Sequence, residues 1–231
     1  QNGDGGEFAH YLRAPDKGKT RGTWQQFSKF GDGVIQATFG TKADLYLLSR
    51  IGAPRGKIVR MPISKLDVTQ AKQVIAEGKD TIVDSFWNAP SILVTKTRLY
   101  VLYQLGGPSE IRVFDHAGKA VTAPKQLPVG AAHGMLALDG DQILFENWSF
   151  VQPPAYSRFD GIKGVTSKTA LVTKSPVDMT QIKVVREFAT SKDGTKVPIN
   201  ILLPAGHQLD GSRPCVVTGY GGYGVNLAPR Y

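Results

Sequence analysis

The strongest chemical signal in the sequence is a glycine-rich segment, Gly219-Tyr-Gly-Gly-Tyr-Gly224, which directly follows the apolar residues 215–218. We predict that residues 215–218 form a buried strand, because an apolar strand that ends in a glycine turn is how α/β folds present a site. Glycine also lets the backbone turn sharply and approach a ligand closely. The segment therefore indicates a binding or catalytic loop.

The same segment matches the dinucleotide-binding pattern G-x-G-x-x-G, which makes a nucleotide site one interpretation. Such a site requires a helix whose N-terminus faces the pyrophosphate, with an acidic residue about twenty positions further on. Only seven residues follow the pattern, and Pro229 among them disfavours a helix of the needed length. The pattern alone is weak evidence, and we expect no cofactor.

Other catalytic and metal-binding patterns are missing from the sequence. No G-x-S-x-G nucleophile elbow occurs, so a complete serine-hydrolase triad cannot be read. The single cysteine, Cys215, excludes an intrachain disulfide, and its apolar neighbours predict a buried, inert thiol. Four isolated histidines lack the spacing of a zinc site, so we expect turn or surface positions for His10, His116, His133 and His207 and no metal.

The charge balance is basic, with 28 Lys and Arg residues against 19 Asp and Glu residues and a formal net charge of +9 over 231 residues. Such a balance raises nucleic acid or an anionic membrane as a partner. The basic residues are scattered, however, and no apolar run approaches the roughly 18 residues that a spanning helix needs. We therefore expect neither nucleic acid nor membrane as a partner.

Internal repetition indicates how the chain is organised. Three similar strand-turn-strand segments begin at residues 42, 96 and 140; their equivalent positions Leu45, Leu99 and Ile143 are 54 and 44 residues apart. Periods of this size are typical of β-propeller blades, although an ordinary β-sandwich is the alternative. Three blades cannot close a ring, so we expect further blades upstream. The best helical candidate, residues 68–77, is also compatible with a strand.

The pattern changes near Ser175-Pro176. Two predicted strands follow, at residues 183–189 and 197–203, and Asp193-Gly194 between them predicts a tight primed hairpin turn. With the apolar residues 215–218, they look like the beginning of a second domain. We predict a β-propeller part of about three blades over residues 1–175 and the beginning of a second, α/β domain over residues 176–231.

The C-terminal part resembles the prolyl oligopeptidase family of serine peptidases. The resemblance is carried by Arg186-Glu-Phe-Ala-Thr-Ser-Lys-Asp-Gly-Thr-Lys-Val-Pro198, by Leu209-Asp-Gly-Ser-Arg-Pro214 and by Gly219-Tyr-Gly-Gly-Tyr223. Further upstream, Phe30-Gly-Asp32 and Asp44-Leu-Tyr-Leu-Leu-Ser49 resemble late propeller blades of bacterial members. The resemblance implies a seven-bladed propeller joined to an α/β-hydrolase domain that cleaves short peptides, typically after proline.

The resemblance also implies roles for particular residues. Tyr220 stands where the family has a tyrosine whose hydroxyl stabilises the oxyanion, while Tyr223 stands where Phe is common. The catalytic Ser, Asp and His of the family lie downstream of this motif, so these 231 residues alone are expected to be inactive. Short peptides and the remaining segment of the same enzyme are the expected partners.

A physical reason supports the role of Tyr220. Attack on a peptide carbonyl creates a negatively charged oxygen, and one preplaced donor in a dry site is worth roughly 2.7–4 kcal/mol. Two alternatives stay open at this point. Tyr220 could instead be a packed loop aromatic without a catalytic role, and the whole chain could instead be a non-catalytic β-propeller binding module.

Overall fold

The computed structural model describes Gly6, residues 8–15, Gly18 and residues 21–84, 91–208, 210–222 and 225–231. Its described residues form antiparallel sheets whose strands follow one another along the chain. A short pair comes first, β1 (His10–Leu12) and β2 (Gln25–Ser28). The first full sheet has the order β3-β4-β5-β6 and consists of β3 (Val34–Phe39), β4 (Asp44–Ser49), β5 (Lys57–Pro62) and β6 (Lys72–Ile75).

Two further sheets repeat this plan. The second consists of β7 (Thr81–Ile82), β8 (Ile92–Val94), β9 (Arg98–Gln104), β10 (Ser109–Asp115) and β11 (Ala120–Val121), and both β7 and β8 pair with β9. The third has the order β12-β13-β14-β15 and consists of β12 (Ala131–Ala137), β13 (Gln142–Trp148), β14 (Ala155–Asp160) and β15 (Val165–Val172).

The repeat predicted from the sequence is confirmed at the level of strand register. Leu45, Leu99 and Ile143 lie on β4, β9 and β13, each of which is an inner strand of its sheet and pairs with the strand that follows it. Each faces a buried or nearly buried apolar residue of the next strand, in the pairs Leu45–Met61, Leu99–Phe114 and Ile143–Phe159. The three sheets are therefore equivalent units.

The core lies between neighbouring sheets, because the middle strands are buried on both faces. Successive side chains of a strand point to opposite faces. From β9, Leu99 and Val101 join a cluster with the first sheet, which includes Tyr46, Leu48 and Ile58. Tyr100 and Leu102 join a cluster with the third sheet, which includes Ile143, Phe145 and Phe159. Burial on both sides explains why the sequence of β9 is an almost unbroken apolar run.

A polar contact joins the second and third sheets. The buried Asp141 carboxylate accepts hydrogen bonds from the Thr95 hydroxyl at 2.7 Å and the Thr97 backbone N–H at 2.6 Å. The Tyr100 hydroxyl donates to the Asp141 backbone carbonyl at 2.5 Å. Burial alone would raise the pKa of Asp141, but the hydrogen bonds from Thr97 and Thr95 outweigh it and hold that pKa below its usual value.

Two local predictions are corrected. Residues 68–77 do not form a helix: a short 3-10 turn over Val68–Gln70 leads into β6, so the strand alternative is right.

The hairpin predicted after residue 176 consists of β16 (Lys183–Thr190) and β17 (Lys196–Leu203), but its turn is longer than a two-residue primed turn. Ser191 pairs with Thr195, and Gly194 occupies the left-handed position with φ of 86°.

The prediction of a buried strand at residues 215–218 is wrong for this structure. The segment has no strand partner among the described residues, and the side chains of Val216 and Val217 are 92% and 89% exposed. Cys215 is a free, exposed thiol rather than a buried one. The local pattern fits a strand, but a strand needs a neighbouring strand to complete its backbone hydrogen bonds.

Candidate functional site

The tyrosine singled out by the sequence lies on an irregular loop after the β16–β17 hairpin. Tyr220 is 54% exposed, and no hydrogen-bond partner of its hydroxyl lies among the residues that the structure describes. Its ring lies close to Gly222, since a Cβ added there would lie 3.4 Å from the Tyr220 hydroxyl oxygen, at van der Waals contact. Tyr223 and Gly224 lie outside the described residues.

Tyr220 supplies this loop with a hydroxyl that no described residue engages in a hydrogen bond. A phenol hydroxyl that is not committed to a protein acceptor can donate to a ligand oxygen. Such a donor stabilises a charge that develops on a carbonyl oxygen. The structure thus leaves the donor available, and its predicted role as an oxyanion stabiliser stays a prediction.

The histidines are dispersed over separate elements. The prediction of turn or surface positions is right for His116 and His207, whereas His10 lies on β1 and His133 lies on β12. His10 contacts the Ser28 hydroxyl at 2.7 Å, and burial lowers the pKa of His10. Within the described parts of the chain, no group of three or more His, Cys, Asp or Glu side chains could hold a metal ion.

A groove of about 430 Å³ lies between β10 and the linker that follows β11. The side chain of Gln126 already pairs with the backbone of β10 in this groove. The Gln126 amide accepts a hydrogen bond from the Ile111 N–H at 2.7 Å and donates to the Ile111 carbonyl at 3.2 Å. The amide replaces a neighbouring strand at that point. Gln126 therefore satisfies backbone groups of β10 that would otherwise be exposed at the sheet edge, and this contact explains the groove.

The described helical segments are the two short 3-10 turns, Phe30–Asp32 and Val68–Gln70. No helix within the described ranges is long and apolar enough to cross a membrane.

The loop with Tyr220 belongs to a C-terminal segment that contacts the second and third sheets. From β16, the Arg186 guanidinium donates to the Leu105 carbonyl at 2.6 Å and the Gly106 carbonyl at 2.8 Å. Both carbonyls lie in the turn between β9 and β10. Burial against this turn lowers the pKa of Arg186 from its ordinary value. The contact fixes the hairpin to the end of the second sheet.

Residues beyond Tyr220 contact the same side of the sheets. The Asn226 amide donates to the Gly107 carbonyl at 3.2 Å. The Trp148 indole N–H, at the end of β13, donates to the carbonyl of the buried Pro229 at 2.6 Å. The Tyr231 hydroxyl contacts the Ser175 hydroxyl and the Val177 carbonyl. Sequence reasoning did not find these residues, because contacts across 54 to 119 positions leave no local pattern.

The fold shows which class of protein the chain belongs to. Consecutive antiparallel sheets of four or five strands, with apolar clusters between neighbouring sheets, are typical of β-propeller blades. The family model described as "Prolyl oligopeptidase, N-terminal beta-propeller domain" matches residues 3–170. The chain therefore belongs to the prolyl oligopeptidase family, whose members are serine peptidases, and the matched residues are part of its propeller domain.

Known proteins similar to the chain agree with this assignment. The prolyl endopeptidase of Elizabethkingia meningoseptica is 26% identical over 190 residues, which covers 81% of this chain and 25% of that protein. A solved structure from work on two prolyl endopeptidases and their inter-domain dynamics matches with a TM-score of 0.77 and 26% identity over 95% of this chain and 31% of that chain.

A more distant likeness is one of fold alone. Prolyl oligopeptidase B from Galerina marginata, solved with a 25mer macrocyclization substrate, matches with a TM-score of 0.79 at 18% identity over 97% of this chain and 31% of that chain. The chain spans about a quarter of the length of the curated relative described above.

Proposed function

We propose that the chain is a segment of a prolyl-oligopeptidase-type serine peptidase that hydrolyses short peptides after proline. Residues 1–175 are late propeller blades, and residues 176–231 begin the α/β-hydrolase domain. Membership of the family and the likeness to prolyl endopeptidases support the reaction class. Tyr220 supplies the oxyanion donor, and the nucleophile, base and acid come from the remaining segment of the enzyme.

The observation that carries the proposal is the motif Gly219-Tyr-Gly-Gly222, in which Tyr220 is 54% exposed and its hydroxyl has no hydrogen-bond partner among the described residues. The serine attacks the scissile carbonyl, and the oxygen of that carbonyl becomes negative as the tetrahedral intermediate forms. A hydroxyl that has no protein acceptor is ready to donate to this oxygen. The donor then acts mainly in the transition state, where it lowers the barrier.

The apolar residues 215–218 support the proposed hydrolase domain. Val216 and Val217 expose almost their whole side chains here, which is costly for two β-branched apolar residues in water. Strands of parallel sheets in α/β proteins are buried on both faces and read as continuous apolar runs. We infer that strands of the hydrolase sheet cover residues 215–218 in the complete protein.

A non-catalytic propeller module is the second candidate, because the best-packed part of the chain is propeller. A peptidase assay separates the two. The complete protein and the isolated 231-residue chain are compared on a fluorogenic peptide with proline before the cleaved bond, and on a control peptide with alanine there.

We expect the complete protein to cleave the proline peptide and the isolated chain to be inactive, since an oxyanion donor without a nucleophile cannot start the reaction. Turnover by the isolated chain would contradict the assignment of the catalytic residues. Peptide binding without cleavage by the complete protein would favour the binding module.

A further inference from the structure

Three consecutive backbone carbonyls of one turn face the C-terminal segment. The oxygens of Leu105 and Gly106 accept hydrogen bonds from the Arg186 guanidinium, and that of Gly107 accepts one from the Asn226 amide. Hydrogen bonds from a charged donor are about twice as strong as neutral ones. The Arg186 guanidinium also lies over the Phe188 ring, 5.7 Å from its centroid.

The turn has the sequence that this close approach needs. Gly106 and Gly107 adopt φ values of 67° and 126°, which side chains with a Cβ rarely allow. A Cβ added at Gly107 would lie 3.2 Å from an Arg186 guanidinium nitrogen, 3.6 Å from the Asn200 amide nitrogen and 3.7 Å from the Leu227 carbonyl. The two glycines therefore serve both the turn and the contact.

The contacts hold the Tyr220 loop from both sides. Arg186 fixes the hairpin that precedes the loop, whereas Asn226 lies four residues after Gly222 and fixes its exit. Trp148 then holds the buried Pro229. Between these anchors, residues 204–222 belong to no strand or helix among the described residues. Within the loop itself, the Val225 N–H donates to the Gly222 carbonyl at 3.1 Å, a local contact that does not reach the sheets.

We propose that the turn at residues 105–107 is the docking site that positions the Tyr220 loop, and that Arg186 and Asn226 are its positioning residues. The inference rests on the proposed function for its catalytic consequence, but docking itself does not depend on activity. A donor misplaced by about 1 Å can cost roughly 100-fold in rate, so docking and turnover are linked.

The test compares hydrogen–deuterium exchange of residues 183–203 and 225–231 in the complete protein and its variants. Arg186→Met keeps the aliphatic length and removes the donors, whereas Arg186→Lys keeps a charge and part of the hydrogen bonding. Asn226→Ala removes the second anchor. Arg158→Met is the matched control, because Arg158 is an exposed arginine that donates to Gln142 within its own sheet.

We expect exchange to accelerate about tenfold in Arg186→Met and Asn226→Ala, to be partly restored in Arg186→Lys, and to be unchanged in Arg158→Met. The kcat for the proline peptide should fall about ten- to a hundredfold in the first two variants, with KM within about twofold. If Arg186→Met does not fold, Asn226→Ala, which changes an exposed loop residue, decides.

Wild-type exchange in Arg186→Met and in Asn226→Ala would overturn the docking site. Faster exchange with unchanged kcat would overturn the positioning role. If the unmodified complete protein cleaves no peptide, the proposed function fails, while the exchange comparison still decides the docking site.

Discussion

At the scale of single residues, Tyr220 and Arg186 use polar donors in opposite ways. The Arg186 guanidinium is half-buried and commits its N–H groups to protein carbonyls. Tyr220 is exposed, and its hydroxyl donates to no acceptor among the described residues. A satisfied donor contributes to structure, whereas an unsatisfied one is available for a ligand. The difference in partners, rather than the residue type, separates the anchor from the candidate catalytic group.

The residue-scale prediction concerns Tyr220→Phe in the complete protein. Phenylalanine fills nearly the same volume, so packing should hardly change and the hydroxyl is the only variable. If the hydroxyl meets charge only as the oxyanion develops, kcat should fall about 10²–10³-fold with little change in KM. Steady-state kinetics on the proline peptide and a thermal melt of both proteins measure this.

The matched control is Tyr11→Phe, which removes the hydroxyl of another exposed tyrosine, on β1. Its kinetics should equal those of the unmodified protein. Equal kinetics for Tyr220→Phe, with an unchanged melt, would reduce Tyr220 to a packed loop aromatic.

At the scale of elements, the sheets are held together by apolar side chains that alternate between neighbours, with polar contacts at a few points. Asp141 is the clearest of these points, because its carboxylate, in the turn between β12 and β13 of the third sheet, accepts hydrogen bonds from two groups that precede β9 of the second sheet. The Thr95 hydroxyl that it satisfies is itself buried. Removing a partner from a buried polar group costs about 1–3 kcal/mol.

Asp141→Ala is therefore expected to lower the free energy of unfolding by about 1–3 kcal/mol, whereas Asp139→Ala, two positions away and exposed, should change it little. For a chain of this size the loss corresponds to a drop of about 2–12 °C in Tm. Melts of the 231-residue chain and both variants at low protein concentration give the comparison.

The effect of Asp141 should also depend on pH. Its pKa in the folded protein is lowered, so the stability that it contributes is complete above the unfolded pKa of about 3.9 and is lost as the pH falls through the folded value. The gap between the unmodified chain and Asp141→Ala should be constant from about pH 5 to 8 and narrow below about pH 4. A gap that widens in acid would contradict the account.

The elements also explain how far the sequence could predict the fold. Strands buried on both faces, such as β4 and β9, carry apolar runs with a repeat that the sequence displays. Residues 68–77 have spacing compatible with a helix, and only pairing with β5 makes the second half a strand. The apolar pattern of residues 215–218 predicts a strand, but the pattern does not show which other strand would pair with these residues. The anchors of the Tyr220 loop depend on backbone carbonyls far away in the chain, so residue types could not reveal them.

At the scale of the whole molecule, the chain has two kinds of surface. The three sheets bury their apolar residues in clusters between neighbours. The C-terminal segment instead exposes apolar side chains on the β16–β17 hairpin and after it, notably Phe188, Val216 and Val217. Exposed β-branched residues beside unpaired backbone groups favour association with other chains. The isolated chain should therefore be prone to self-association.

The double substitution Val216→Lys with Val217→Lys tests this surface in two settings, with opposite expected results. In the isolated 231-residue chain, two charges on an exposed apolar segment should reduce self-association, because charged residues interrupt aggregation-prone strands. Light scattering or sedimentation as a function of concentration measures the change. The control is Ile162→Lys, since Ile162 is 62% exposed in the turn between β14 and β15 of the third sheet.

In the complete protein, the same double substitution should lower Tm and abolish peptidase activity. If a hydrolase sheet covers residues 215–218, each lysine would bury a charge without a partner, at a cost of several kcal/mol. Ile162→Lys should be neutral there, because its turn belongs to the propeller and stays in solvent. An unchanged Tm for the lysine pair in the complete protein would mean that this segment remains exposed, and the proposed hydrolase strand would be wrong. If the double substitution leaves self-association of the isolated chain unchanged, another surface is responsible for that association. The exposed face of the β16–β17 hairpin around Phe188 is then the next segment to substitute.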